Sequence, residues 1–87
     1  MGTAGFVIYP NPGSGVFTLS IDLTDTDDVE LQVFDMSGRL ILARMIRNAS
    51  GELETSIDLS GYAPGLYQVH VKTGKALHHG ILILLER

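Results

Sequence analysis

The residues of this 87-residue chain best equipped for chemistry are three histidines and a group of aspartates. His78 and His79 are adjacent in "ALHHGILILLER", and imidazole nitrogens are ligands for zinc, copper and nickel. Neighbours on a strand point to opposite faces, so these two do not chelate one ion together. His70, in another strand-like run, could approach one of them only across strands, and the three read as solvent-facing histidines without a metal. Asp22, Asp25, Asp27 and Asp28 offer the hard oxygens that calcium takes, yet lack the spacing and glycine of an EF-hand loop. They read as a solvated hairpin turn. No serine lies in a Gly-x-Ser-x-Gly elbow. Cysteine is absent, which removes disulfides, thiolate metal sites and thiol nucleophiles. Asn48-Ala49-Ser50 has the form of a glycosylation acceptor, and with Gly51 it reads as a turn. No catalytic residue and no cofactor are expected.

The elements around these residues alternate with the period of a strand. "FVIY" (Phe6 to Tyr9) is stopped by "PNPGSG", where Pro10 and Pro12 remove backbone donors. "VFTLSIDL" puts Phe17, Leu19, Ile21 and Leu23 on one face. The acidic Asp25 to Asp28 follows as a turn. "VELQVFD" points Val29, Leu31 and Val33 inward, and Met36-Ser37-Gly38 closes a hairpin. "RLILARMIR" is apolar on both faces, fitting a central strand or a short helix, with strand favoured by its place after the hairpin. "ELETSIDL" sets Leu53, Thr55, Ile57 and Leu59 against Glu52, Glu54, Ser56 and Asp58. "GLYQVHVK" presents Tyr67, Val69 and Val71 to the core, a tight turn follows at "TGK", and "ALHHGILILLER" is the last strand. Seven runs separated by turn residues, with no sustained helical period, predict an all-β antiparallel sandwich of about seven strands.

Bulk properties exclude several classes of function. A formal net charge of −4 argues against nucleic acid, whose phosphates need a basic face. No run approaches the about 20 apolar residues of a membrane-spanning helix, and "MGTAGFVIYP" lacks the basic leader and apolar core of a signal peptide. Residues 1–5 are expected to be an expression start or linker remnant, and 6–87 the domain. Tyr67 follows the Pro64-Gly65 turn and begins a late strand. This is the placement of a tyrosine whose hydroxyl bonds back to upstream backbone and fixes a corner between sheets.

Three segments in series carry a resemblance: "VIYPNPGSGVFTLSI", "VELQVFDMSGRLI" and "IDLSGYAPGLYQVHVKTGK". They are similar to the C-terminal sorting domain of the type IX (Por) secretion system of Bacteroidetes-type bacteria, over about Val7 to Leu85. The resemblance implies an immunoglobulin-like β-sandwich at the C-terminus of a larger cargo protein. It also implies recognition by outer-membrane secretion and sortase machinery, with export through the periplasm to the cell surface or medium. Cleavage and surface attachment of the cargo are implied as well. Many members carry a lysine just before the final apolar strand, where this chain has His78, His79 and Gly80. Fibronectin type III domains also use a tyrosine corner, but usually place the glycine three residues before the tyrosine and carry a core tryptophan. Here Gly65 is two residues before Tyr67, and tryptophan is absent.

Pro10, Asn11, Pro12, Gly38, Gly65 and Tyr67 are therefore expected to shape the domain. Lys72, Lys75 and the last strand, Ile81, Leu82, Ile83, Leu84 and Leu85, are expected to present it. In that strand Leu82 and Leu84 point one way and Ile81, Ile83 and Leu85 the other. This leaves a sandwiched strand, or one whose face or edge receives a partner and allows self-association. The competing class is an accessory fibronectin-like module of a surface enzyme, binding glycan or protein through exposed aromatics.

Overall fold

The computed structural model describes residues 6–74 and 76–86. The described residues form five strands and no helix: β1 (Phe6–Tyr9), β2 (Val16–Phe34), β3 (Leu40–Asp58), β4 (Gly65–Lys72) and β5 (Leu77–Leu84). All ladders are antiparallel. β2 is the spine, paired with β3 from Val16↔Asp58 to Phe34↔Leu40. Its other edge takes β1 beside Thr18–Ile21 and β4 beside Glu30–Phe34. β5 then pairs with β4 from Gly65↔Leu84 to Lys72↔Leu77.

The sheet is curled around one core. Phe17, Leu19 and Ile21 in the first half of β2 and Val29, Leu31 and Val33 in the second are all buried. They lie on the same face of a continuous strand, so only a bend can bring both rows to one interior. Ala49, Ile57, Leu59, Tyr67, Val69, Val71, Leu82 and Leu84 complete the core. A fully buried aliphatic side chain contributes about 1.5–3 kcal/mol, against about 0.5–1.5 kcal/mol net for a hydrogen bond. The alternating rows therefore supply the stability, and the loops set the shape.

Two expected turns are part of strands, and the seven runs merge into five. The aspartates of residues 25–28 lie inside β2, and Asn48–Gly51 lies opposite them inside β3. The ladder is irregular there: β2 advances from Leu23 to Asp27 while β3 moves from Gly51 to Ala49. The inward row of β3 changes phase across this point, from Leu42, Arg44 and Ile46 opposite Val33, Leu31 and Val29, to Leu53, Thr55 and Ile57 opposite Ile21, Leu19 and Phe17. An odd number of residues must be absorbed, which is what a bulge does. Asn48 sits at φ 55, a conformation asparagine tolerates better than most residues. Polar composition alone does not distinguish a turn from a bulged bend in a long hairpin.

The run from Arg39 to Arg47 is strand from Leu40 onward, as expected, but not a central one: among the described strands β3 pairs only with β2. Its inward Arg44 reaches from the first half of β3 to the second, donating from Nη1 to Thr55 Oγ1 at 2.7 Å and to the Ser56 carbonyl at 2.6 Å. One arginine thus ties the two ends of a long edge strand across the open side of the curl.

Candidate recognition surface

The opposite side of the curl is closed by the segment after β1. Asn11 lies along the outer edge of β5, where its Nδ2 donates to the Ile81 carbonyl at 2.8 Å and its Oδ1 accepts from the Ile83 amide at 3.0 Å. Gly13 continues the contact, donating to the Ile83 carbonyl at 3.1 Å and accepting from the Leu85 amide at 2.7 Å. The two flanking prolines carry no N–H, so the side chain of Asn11 provides the donor and acceptor that backbone would. Both Tyr9–Pro10 and Asn11–Pro12 are cis. A Cβ on Gly13 would lie 2.6 Å from the Phe17 ring and 2.7 Å from the Pro10 carbonyl, so the clasp and core meet at a position that admits no side chain.

The second motif is a hairpin closed on one carboxylate. Asp35 Oδ1 accepts from the Ser37 amide, the Ser37 hydroxyl and the Arg39 amide, at 2.9, 2.6 and 3.0 Å. Gly38 has φ +89, and Arg39 Nε stands 3.3 Å from Asp35 Oδ2. The Ser37 hydroxyl and then the Arg39 amide hold the Asp35 carboxyl below its ordinary pKa.

The third motif turns the chain into β4. Asp58 Oδ1 accepts from the Ser60 amide at 2.9 Å, and the Leu59 amide donates to the Gly15 carbonyl at 2.9 Å. Gly65 has φ +150, a region in which an L side chain is strained. Tyr67 is 5 % exposed, and its hydroxyl donates to the Ala63 carbonyl upstream, the corner bond expected of it. The Tyr62 hydroxyl reaches the Ile41 carbonyl at 3.4 Å.

These contacts gather the three motifs at one end of the molecule. A shallow groove there is lined by Asp35, Met36, Arg39, Tyr62, Pro64 and Leu66. A second runs past Ser14, Ser60, Tyr62 and Leu84–Glu86, where β5 ends. The sequence marked Asn11 and Gly65 as shaping residues, but the partner of Asn11, β5, was not visible in it. The only signal was an asparagine held between two prolines.

The residues expected to present the domain divide. Leu82 and Leu84 are buried, whereas Ile81 and Leu85 are half exposed, at 50 % and 49 %. The edge of β5 is occupied by Asn11 and Gly13 from Ile81 to Leu85, so it is not open there to strand addition. What remains outward is the face. Leu66 of β4, opposite Ile83 and 42 % exposed, joins Ile81 in an apolar strip that the sequence reading missed. It fell in the outward phase of an alternating strand, and only its partner reveals the strip. Lys72 is exposed on β4 opposite Leu77. Lys75 lies outside the described residues.

Two of the aspartates have structural partners. Asp27 Oδ2 accepts from the Gly74 amide at 2.9 Å and Asp28 Oδ1 from the Asn48 amide at 3.0 Å, so these carboxylates pin the bulge to its neighbours. No group of three or more metal-ligating side chains is gathered among the described residues. Tyr9, exposed on β1, donates to Glu54 Oε2 at 3.1 Å, and that bond holds its phenol above the ordinary pKa. No described helix is long and apolar enough to cross a membrane.

No curated protein matches the chain. The family model for the secretion system C-terminal sorting domain matches residues 7–84. The match spans all three motifs, from β1 to the last residue of β5. Domains of this family are the C-terminal tails of cargo proteins recognised by the type IX secretion machinery, are in general non-catalytic, and direct the cargo across the outer membrane to the cell surface or beyond. The chain belongs to the secretion system C-terminal sorting domain family.

Proposed function

We propose that the machinery reads this domain as a folded object, through the outward face of β5 and the adjoining part of β4. One observation carries the reading: the clasp occupies the edge of β5 from Ile81 to Leu85 while Ile81, Leu85 and Leu66 stay exposed. The motifs serve to fix the shape, and the strip is what they hold in place. Ile81, Ile83 and Leu85 make contact, with the exposed Lys72 on β4 as a cationic flank and Lys75 a second cation for the same reader. Leu82 and Leu84 act indirectly, by anchoring the strand in the core. Exposed apolar side chains in a strip are the surface on which a receptor gains most from desolvation.

We read the curled sheet as an immunoglobulin-like sandwich whose seven segments are β1, the two halves of β2, the two halves of β3, β4 and β5. The domain itself is non-catalytic, and the activity carried belongs to cargo N-terminal to it. The sortase machinery is a second reader, and the same strip is the place for self-association. The family membership favours this reading over a fibronectin-like binding module. The two exposed tyrosines, Tyr9 and Tyr62, have their hydroxyls bonded to Glu54 and the Ile41 carbonyl rather than displayed on one platform.

The test uses a periplasmic reporter fused to the domain in a bacterium with this secretion system. Ile81→Asp and Leu66→Asp should leave the domain folded, by thermal melting, and hold the reporter in the periplasm. Export of both folded variants at the wild-type level would overturn the assignment of the surface.

A further inference from the structure

We infer that His70 and His79 form a binding site for a borderline divalent transition-metal ion, Zn²⁺, Ni²⁺ or Cu²⁺, on the outward face of the sheet. The two residues are direct partners across β4 and β5. Their rings are 4.6 Å apart between centroids, with an interplanar angle of 74°. Side chains that face each other on neighbouring strands share a face whatever their sequence distance. The geometry therefore supplies the pair that the adjacent His78 and His79 cannot. His78 is turned to the other face, where its ring stands 6.1 Å from that of Phe6.

Three features suit the pair to a metal. His70 rests against Phe34 at 4.9 Å between ring centroids, which limits the positions its ring can take. Neither imidazole is hydrogen-bonded to a described residue, so their nitrogens are open to an ion. The pair lies in the middle of a paired ladder, with Gln32 opposite His70 on the other side. The register thus sets Gln32, His70 and His79 in one row across three strands, with Gln32 on the same face as the two imidazoles. Imidazole selects zinc, nickel and copper over the oxygen-seeking calcium and magnesium. Such ions bind nitrogen at about 2.0–2.1 Å, and small ring rotations of two facing imidazoles aim a nitrogen from each at one point. Two protein donors leave coordination positions open, so the ion can take water or a side chain from a docked protein.

The experiment is a titration of the untagged domain with NiSO₄ and with ZnCl₂, followed by calorimetry and by NMR of the histidine ring protons, with CaCl₂ as control. Saturable binding of one ion per chain is expected, with the His70 and His79 ring signals shifted or broadened and those of His78 unchanged. His79→Gln, at an exposed position, should remove that binding while the melting temperature stays near wild type, and His78→Gln should leave it intact. Absence of saturable binding to the wild-type domain would overturn the site. So would binding that survives His79→Gln, or that is lost in His78→Gln.

Discussion

Asn11 lies against Ile83 with its side-chain carbonyl 3.0 Å from the Ile83 amide, while its own amide reaches the Ile81 carbonyl at 2.8 Å. A single side chain thereby takes the place of a neighbouring strand along part of the last strand's edge. Open edges of this kind pair readily with other chains, and the clasp prevents it over Ile81–Leu85. Asn11→Ala is expected to lower stability by about 1–2 kcal/mol and to speed hydrogen exchange at Ile83. Both are measurable, by urea unfolding and by NMR. Unchanged exchange at Ile83 would show that the clasp does not protect the edge.

Tyr67→Phe keeps the buried ring and removes only the donor to the Ala63 carbonyl. The expected loss is about 1–2 kcal/mol, whereas Tyr67→Ala empties a core position and should cost about 3–5 kcal/mol. Equal losses for the two variants in chemical denaturation would contradict the corner bond.

Gly65→Ala separates backbone strain from crowding. Nothing lies within 4 Å of an added Cβ, yet φ is +150. The cost should be about 1–3 kcal/mol and purely conformational. Gly13→Ala should be worse, since its Cβ meets both a core ring and a backbone carbonyl. Equilibrium unfolding of both variants gives the order.

Asp35 makes stability depend on pH in a defined direction. Its folded pKa lies below the ordinary 3.8, chiefly through the Ser37 hydroxyl and the Arg39 amide. The ionised form is thus favoured by folding, and its contribution is complete above the unfolded pKa. It is lost as pH falls through the folded one. Asp35→Asn should therefore melt below wild type at pH 7, with the gap closing once pH is below both values. A gap that persists unchanged at the acid limit would assign the effect to shape rather than charge.

Much of the fold is legible in the sequence because the pleat has period two. Phe17, Leu19 and Ile21, Val29, Leu31 and Val33, and Tyr67, Val69 and Val71 are readable as rows of one face, and all are buried; in the last strand both faces are apolar, and only the structure shows that Leu82 and Leu84 are the inward pair. The merger of seven runs into five strands was not readable. It depends on Asp27 meeting Ala49, and the polar residues around both serve a turn or a bulged bend equally well. Arg44 sits in an apolar run and gives no sign that it reaches Thr55. The clasp depends on residues 72 positions apart, a pairing that the local pattern does not encode. His70 and His79 likewise become neighbours only through the register of β4 on β5.

The most direct measurement is export of a reporter. A secreted reporter protein with its own inner-membrane signal, fused ahead of residues 6–87, is expressed in a bacterium that has the type IX system and in a strain lacking its outer-membrane translocon. The account predicts reporter at the cell surface or in the medium in the first strain and in the periplasm in the second. Retention in the periplasm of both strains, with the fused domain folded, would contradict it.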